Sequence, residues 1–598
     1  MPASSWKQAT AVSNSGPRRE RSHWSAGRSR LSAALTIVAA AAFCAQASGA
    51  TLAAWNFNSL ASDANPTTGT LQPAEGSGSA SLVGGVTGSF TASNGSSDPN
   101  STDNSNWRIT TWPAQGTRNK QDGIQFSVST AGHRRIALSW DLRNSNTASK
   151  YTRLQYTTNG TDFTDFQVIS MPSETWMNAQ SASFAGEPGV ENNPAFGVRF
   201  VSEFESTATG AGTAGYAPCN PTNSYGSAGT LRFDMVSVSG EPLAITNLTL
   251  VTYNVLGRGV ADWTTNSAQV RAIGRQLSYL KPDIIGFQEI HELNANYAQM
   301  PGFVAAYLPG YYLATGSYTD GGERSVVASR FPIVRSKSWL VGSSLTPYGY
   351  SGKFSRDLFE TQIAVPGFPQ PFHFFVTHLK AFSDQDSAAK RGAEARAISN
   401  FFAKVYLTTN SLHPYCLVGD MNEDIFRPRD YELRAIQALL SPRVGLRLTS
   451  PHIPATADDR TWSIRNTSLT IRFDYILPSG LLFSNLASSQ VFRSDLVTPA
   501  APPLLAGDSA AASDHLPVMA TFRNPYDVPF AIRTLTVSNH VATLDWQTVM
   551  GAKYGVEVSA DLVTWKPAAT NLIASGGTLS WKAATSTMLQ YFRVFQDW

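Results

Sequence analysis

The chain has 598 residues, 42% of them apolar, with 46 Lys and Arg against 43 Asp and Glu. That length is too great for a single hydrophobic core and predicts about three domains. Six of the basic residues and one acid fall in residues 1–50, which leaves 40 against 42 beyond them. Beyond residue 50 no Lys/Arg-rich stripe of the kind that drives nonspecific nucleic-acid binding appears in the sequence, which leaves a patch assembled by folding open.

Residues 1–50 read as a signal peptide. Arg18, Arg19, Arg21, Arg28 and Arg30 precede the apolar run from Leu31 to Cys44. Small residues then offer cleavage after Ala47 or Ala50. The apolar run is shorter than the ~20 residues of a membrane-spanning helix. The bulky Phe43 argues against lipidation of Cys44. Export to the extracellular space or periplasm is expected, with no transmembrane segment in the mature chain. Cys219 and Cys416 alone remain, so no disulfide framework is expected.

From 51 to 243 the sequence is rich in Gly, Ser, Thr and Asn, with short alternating runs such as Gly123–Val128, Ile136–Leu142 and Thr230–Val238. That pattern predicts a β-sandwich. Trp55, Trp107, Trp112, Trp140 and Trp176 suit core packing, with a sugar-stacking face as the alternative. From 244 to 524 strand-like runs alternate with helical ones. Val270, Ile273, Leu277 and Leu280 recur at helical spacing before Pro282, and Ala389, Ala393, Phe401 and Val405 recur over 385–407. One α/β domain is predicted there. From 528 to 598 the runs Ala542–Trp546 and Tyr554–Val558 predict a small β domain.

Within the α/β stretch, polar residues stand at the tips of apolar runs: Asn254, Glu289, His378, Asp420 with Asn422, Asp474, and the Asp514-His515 pair. A strand end is where a side chain can leave the core for a cleft. Each residue alone has a plainer reading. Glu289 could be a surface carboxylate, Gly-Asp-Met-Asn at 419–422 a turn, and His378 a satisfied core histidine. Together they suit a hard divalent cation with oxygen ligands, beside donors and a base for a phosphate.

The motifs that carry these residues resemble those of the endonuclease/exonuclease/phosphatase superfamily. In order they are Tyr-Asn-Val at 253–255, Gln-Glu at 288–289, Ser-Arg-Phe-Pro-Ile at 329–333, Thr-His-Leu at 377–379, Gly-Asp-Met-Asn at 419–422, Phe-Asp-Tyr-Ile at 473–476 and Ser-Asp-His-Leu-Pro-Val at 513–518. The resemblance implies a four-layer sandwich, two packed sheets covered by helices. It implies that Glu289 is the principal ligand of Mg2+ (or Mn2+ or Ca2+), with Asn254 and Asp514 close by. It implies that Asp474 orients His515, that Asp420 orients or deprotonates the attacking water, and that Asn422 and His378 donate to nonbridging phosphate oxygens. Leu256 stands where the abasic-site branch carries an acid, and His378 where that branch carries Tyr. The nuclease, sphingomyelinase and phosphatase branches are therefore expected. Arg356 is either a phosphate contact or a structural salt bridge.

The flanks resemble modules of secreted bacterial proteins: jelly-roll modules before the α/β domain and small fibronectin-like modules after it, with a polysaccharide or surface ligand as their expected partner. The expected activity is hydrolysis of phosphate esters, with DNA or RNA as the leading substrate. The alternatives are a sphingomyelinase-like phosphodiesterase, an inositol-phosphate phosphatase, and an adhesion protein with a vestigial catalytic domain. A lipid substrate would call for an exposed apolar hairpin, for which 343–351, with Leu345, Tyr348 and Tyr350, is the candidate.

Overall fold

The structure, a computed structural model, describes residues 50–597 except 173, 258–262, 264–266, 292–297, 429–433, 466–467, 499–501, 561, 563 and 585–589. The expected leader, apart from Ala50, lies outside the described residues. The chain forms two compact units, one ending at Leu243 and one starting at Ala244.

The first unit contains a seven-stranded and a five-stranded sheet. Long strands His133–Asn144 and Leu231–Pro242 pair antiparallel in the larger sheet. Ile136, Leu138, Trp140 and Leu142 point inward at every second position, as the two-residue period of a strand with one buried face requires. Their core is aromatic: the tilted rings of Trp55 and Phe126 are centred 4.9 Å apart and those of Trp140 and Phe200 5.2 Å apart. Trp55, Trp107, Trp112 and Trp140 are all buried, so core packing accounts for four of the five tryptophans. Trp176 is half-buried and donates to Asn94 O at 2.9 Å.

The second unit holds a six-stranded sheet, a five-stranded sheet and two three-stranded sheets. Each of the larger sheets contains one parallel pair. Asn247–Asn254 runs parallel to Ile284–His291, with the helix Ala268–Leu280 between them in sequence. Phe372–His378 runs parallel to Tyr415–Asp420, with the helix Gln385–Phe401 between them. A parallel pair needs such a crossover, which is the alternation read from the sequence. The first helix buries Val270, Ile273 and Leu277 and is capped by Ser267. The second is capped by Asp384 and buries Ala393 and Phe401. Val405 was expected on that face but is exposed. Residues Phe402–Tyr406 wind as a π-turn, whose extra residue per turn rotates the face and buries Tyr406 instead.

The two larger sheets share one apolar cluster, with Leu248, Leu250, Ile284 and Val327 from one and Phe372, Phe374, Val376, Val418 and Ile476 from the other. A Cβ on Gly286 would lie 2.8 Å from Val376 and 2.9 Å from Val418, so glycine lets the sheets touch at that point.

Composition changes near Pro525, but packing does not stop there. Leu544, Trp546, Tyr554 and Val556 of the C-terminal strands belong to the same cluster. Tyr526 lies 5.2 Å from Phe368 and accepts at its carbonyl from Gln596 Nε2 at 2.9 Å. Among the described residues, no helix is long and apolar enough to cross a membrane.

Candidate active site

Strand register brings the sequence candidates together. His378 pairs with Asp420, and Asp420 pairs with Asp474, on three neighbouring strands of one sheet. In the other sheet Asn254 pairs with Gln288. The register slips between Phe287 and Ile290, and Glu289 adopts φ +63°. That bulge takes Glu289 out of the strand's alternation and leaves it half-buried beside Asn254. Gly419 serves the strand next to it. Its φ is +146° and a Cβ there would lie 1.8 Å from Thr377 O.

Asp420 is the hub. Asn254 Nδ2 donates to Asp420 Oδ2 and to Glu289 Oε1, both at 2.9 Å. The same Asp420 oxygen lies 3.6 Å from His378 Nε2 and 3.7 Å from His515 Nε2. The other oxygen accepts from Asn422 N at 2.8 Å. Behind His515, Nδ1 is 2.9 Å from Asp474 Oδ2, which also accepts from Thr461 Oγ1 at 2.6 Å. Ser513 Oγ donates to Asn254 O at 2.7 Å and fixes the approach of the Asp514-His515 segment.

Burial by itself would lower the His515 pKa, but Asp474 and then Asp420 outweigh it and push it up to about 10. The two carboxylates therefore favour the imidazolium form. Burial raises the Asp420 carboxyl, the His515 charge opposes that, and Asp474 adds to it. Burial raises the Glu289 carboxyl, and the charge of Glu323 raises it further. Two acids crowded together and driven toward the neutral form are what a cation would relieve.

Glu289, His378 and Asp420 each present a ligand atom within 4.8 Å of the others, as do Asp420, Asp474 and His515. Asp514, expected near the metal, is in neither group. Its Oδ2 accepts from Trp462 Nε1 at 3.0 Å, while its Oδ1 is buried without a partner. Asn422 donates one amide hydrogen to Leu379 O at 3.2 Å, leaving its second for a substrate. Arg356 resolves as a structural cation: it is buried, pairs with Glu323 at 2.7 Å and Asp320 at 3.1 Å, and donates to His378 O. The 343–351 loop is not an exposed apolar hairpin. Leu345 is fully buried, and Tyr350 Oη donates to Asp386 at 2.9 Å.

Sequence reasoning missed Glu323, 3.5 Å from His378 Nδ1. It opens a strand antiparallel to Ile284–His291, so its start lies where the other strand ends. Thr461 and Trp462 come from an irregular stretch with no periodic signal.

Residues 251–515 match the Endonuclease/Exonuclease/phosphatase family. No curated protein matches the chain. Among solved structures, an endonuclease/exonuclease/phosphatase from Beutenbergia cavernae DSM 12333 is 16% identical, covering 59% of this chain and 100% of its own, with a TM-score of 0.35. An AP endonuclease from Archaeoglobus fulgidus is 17% identical over 47% of this chain and 100% of its own, with a TM-score of 0.33. Sphingomyelinase C from Streptomyces griseocarneus gives the same 17%, 47%, 100% and 0.33. With the family match spanning the residues just described, the domain at 251–515 belongs to the endonuclease/exonuclease/phosphatase family, and the chain is a metal-dependent phosphoesterase.

Proposed function

We propose that the protein is a secreted, bacterial, Mg2+-dependent nuclease that hydrolyses phosphodiester bonds of DNA or RNA. The observation that carries the chemistry is Asp420, held within 2.9 Å of Asn254 and 3.7 Å of a His515 backed by Asp474. Preference for nucleic acid over a lipid headgroup rests on the burial of Leu345, which removes the one candidate membrane hairpin. In the same reading the central domain, 244–524, is a four-layer sandwich, preceded by a jelly-roll-like domain at 51–243 and followed by a fibronectin-like one at 528–598. These flanks hold the enzyme near a polysaccharide or surface.

The donor set fits a hard cation. Glu289 would be the principal ligand, with Asn254 beside it holding that carboxylate through its amide hydrogen, and the unpartnered Oδ1 of Asp514 would be a further oxygen in reserve. Mg2+, or Mn2+ or Ca2+, bound there supplies positive charge beside the scissile phosphate. Asp420 orients a water in line with the leaving oxygen and takes its proton. His515 already carries a proton, held by Asp474, and gives it to the leaving oxygen as the P–O bond breaks. His378 and the free amide hydrogen of Asn422 donate to nonbridging oxygens as their charge grows.

The test is a panel of DNA, RNA, sphingomyelin and inositol phosphates with each of the three cations. Cleavage of DNA or RNA with Mg2+ is the expected result. Hydrolysis of sphingomyelin or inositol phosphates without nuclease activity would overturn the substrate and keep the chemistry.

A further inference from the structure

The outer face of the seven-stranded sheet in the N-terminal unit carries arginines side by side. Arg232, on the strand Leu231–Pro242, is in register with Arg108 on one neighbour, Ser105–Thr110, and with Arg143 on the other, His133–Asn144. Leu231 and Phe233, which flank Arg232, belong to the core, as do Trp107 and Ile109 beside Arg108 and Leu142 beside Arg143. Alternation along each strand therefore sends all three arginines to the opposite face. Each is half-buried there. Ser89, exposed on the strand Thr87–Ala92, pairs with Arg108 and continues the row with a hydroxyl. At the usual spacing of strands the three arginine positions span about 10 Å.

The row is short of counter-charge. Arg143 is held by Glu174, with Nη2 donating to Oε2 at 2.8 Å and Nε to the carbonyl at 3.1 Å. No acid among the described residues pairs with Arg108 or Arg232, and the Nε of each is buried without a hydrogen-bond partner. Asp141 and Asp234, two positions along on the same face, are already taken. Asp141 accepts from Ser97 N at 2.6 Å and Ala179 N at 2.7 Å, and Asp234 accepts from Ser93 Oγ and from Met235 N at 2.8 Å. Like charges directly opposite one another on neighbouring strands are destabilising. Burial lowers the Arg232 pKa, Arg143 and then Arg108 lower it further, and Glu174 opposes them. A bound oxyanion would relieve that crowding and supply the missing acceptors.

We propose that this row docks an acidic polysaccharide, with a sugar carboxylate seated on Arg108 and Arg232. The inference rests on the reading of the flanks as surface-binding modules and gives their ligand a charge. A guanidinium meets a carboxylate through two parallel N–H donors, which a neutral sugar cannot match. Charge density decides between polymers. Residues 51–243 carry 10 Lys and Arg against 15 Asp and Glu, so the rest of the unit repels a chain as densely charged as DNA, with one charge per ~1.7 Å. An acidic polysaccharide spaces its carboxylates by whole sugars and fills the intervals with hydroxyls, which suit the Ser89 end of the row.

The test is affinity electrophoresis of the full chain, in chelator, through gels holding polygalacturonate, neutral dextran or a single-stranded oligonucleotide. Polygalacturonate should retard the protein, and the retardation should fall as salt rises. Arg108→Gln combined with Arg232→Gln should weaken that binding about tenfold or more. The melting temperature of the double variant should hold or rise, because the substitutions remove like-charge repulsion. Unchanged retardation in the double variant overturns the site. Should that protein fail to fold, the two substitutions are tested singly, and unchanged binding in both overturns it equally. An oligonucleotide held more tightly than polygalacturonate, and released by the same substitutions, overturns the polysaccharide as occupant. Retardation by dextran alone overturns the row and keeps the flanks as surface modules, whereas no retardation by either polysaccharide removes both.

Discussion

Two carboxylate–imidazole pairs use carboxylates of the five-stranded sheet, and only one belongs to the candidate active site. Asp474 and His515 are 2.9 Å apart, and Glu360 and His373 are 2.6 Å apart. All four groups are buried. The difference lies at the far nitrogen of each ring. His515 Nε2 faces Asp420, which Asn254 and His378 also reach. His373 Nε2 faces His413 at 2.8 Å, and Glu360 is closed off by Trp339 Nε1 at 2.6 Å. His373 and His378 lie near opposite ends of one strand, which separates the two pairs by the strand's length. A paired imidazole is common architecture. It becomes catalytic where the second nitrogen meets an acceptor at an edge open to substrate.

The comparison predicts the largest loss from the first pair. Removing His515 by His515→Ala should lower turnover by about 10²–10⁴, and Asp474→Asn combined with it should cost little more, because the two act as a unit. Additive losses in kcat would show that they work separately. The second pair should do the opposite. His373→Ala leaves Glu360 buried without its imidazole, which should cost about 3 kcal/mol in urea unfolding, while kcat of the folded protein stays within about twofold of the parent. A collapse of kcat would break the contrast.

A smaller effect sharpens the role of the hub's neighbour. Glu289→Gln should weaken Mg2+ binding by more than about tenfold, the lower end of what altering even an outer partner of a metal site costs, and excess Mg2+ should restore part of the activity. Unchanged activity at limiting Mg2+ would remove Glu289 from the site.

The smallest effect is a pH dependence. Burial, then the charges of His373 and Lys553, lower the His413 pKa from 6.5 to about 4, with Glu360 opposing. The folded state thus binds this proton less readily than the unfolded chain does. The stability it contributes is complete above pH 6.5 and is lost as pH falls toward about 4. The urea midpoint should fall across that window, and less steeply in His413→Gln. Equal slopes would show that another group governs acid unfolding.

Much of this was legible in the sequence. Asn254, His378 and Asp420 close apolar runs, and a strand end is the one place where a polar residue after such a run meets a cleft. Glu323 escaped notice because it begins its strand, and a leading acid looks like an ordinary surface turn. Thr461 reaches Asp474 from a stretch with no period. The attachment of the C-terminal strands was hidden too, since the apolar character of Tyr526 and Phe368 says that they are buried but not against what.

The bond from Ser513 Oγ to the carbonyl of Asn254 joins residues 259 positions apart. The first and last segments of the site are therefore stitched together across almost the whole catalytic domain. A ribosome makes Asn254 long before it makes His515, and a chain stopped anywhere in between holds one side of the candidate site without the other. The site is complete only when synthesis of the domain is. Fragments left by premature termination or by proteolytic removal of the 513–515 segment lack half of it by construction.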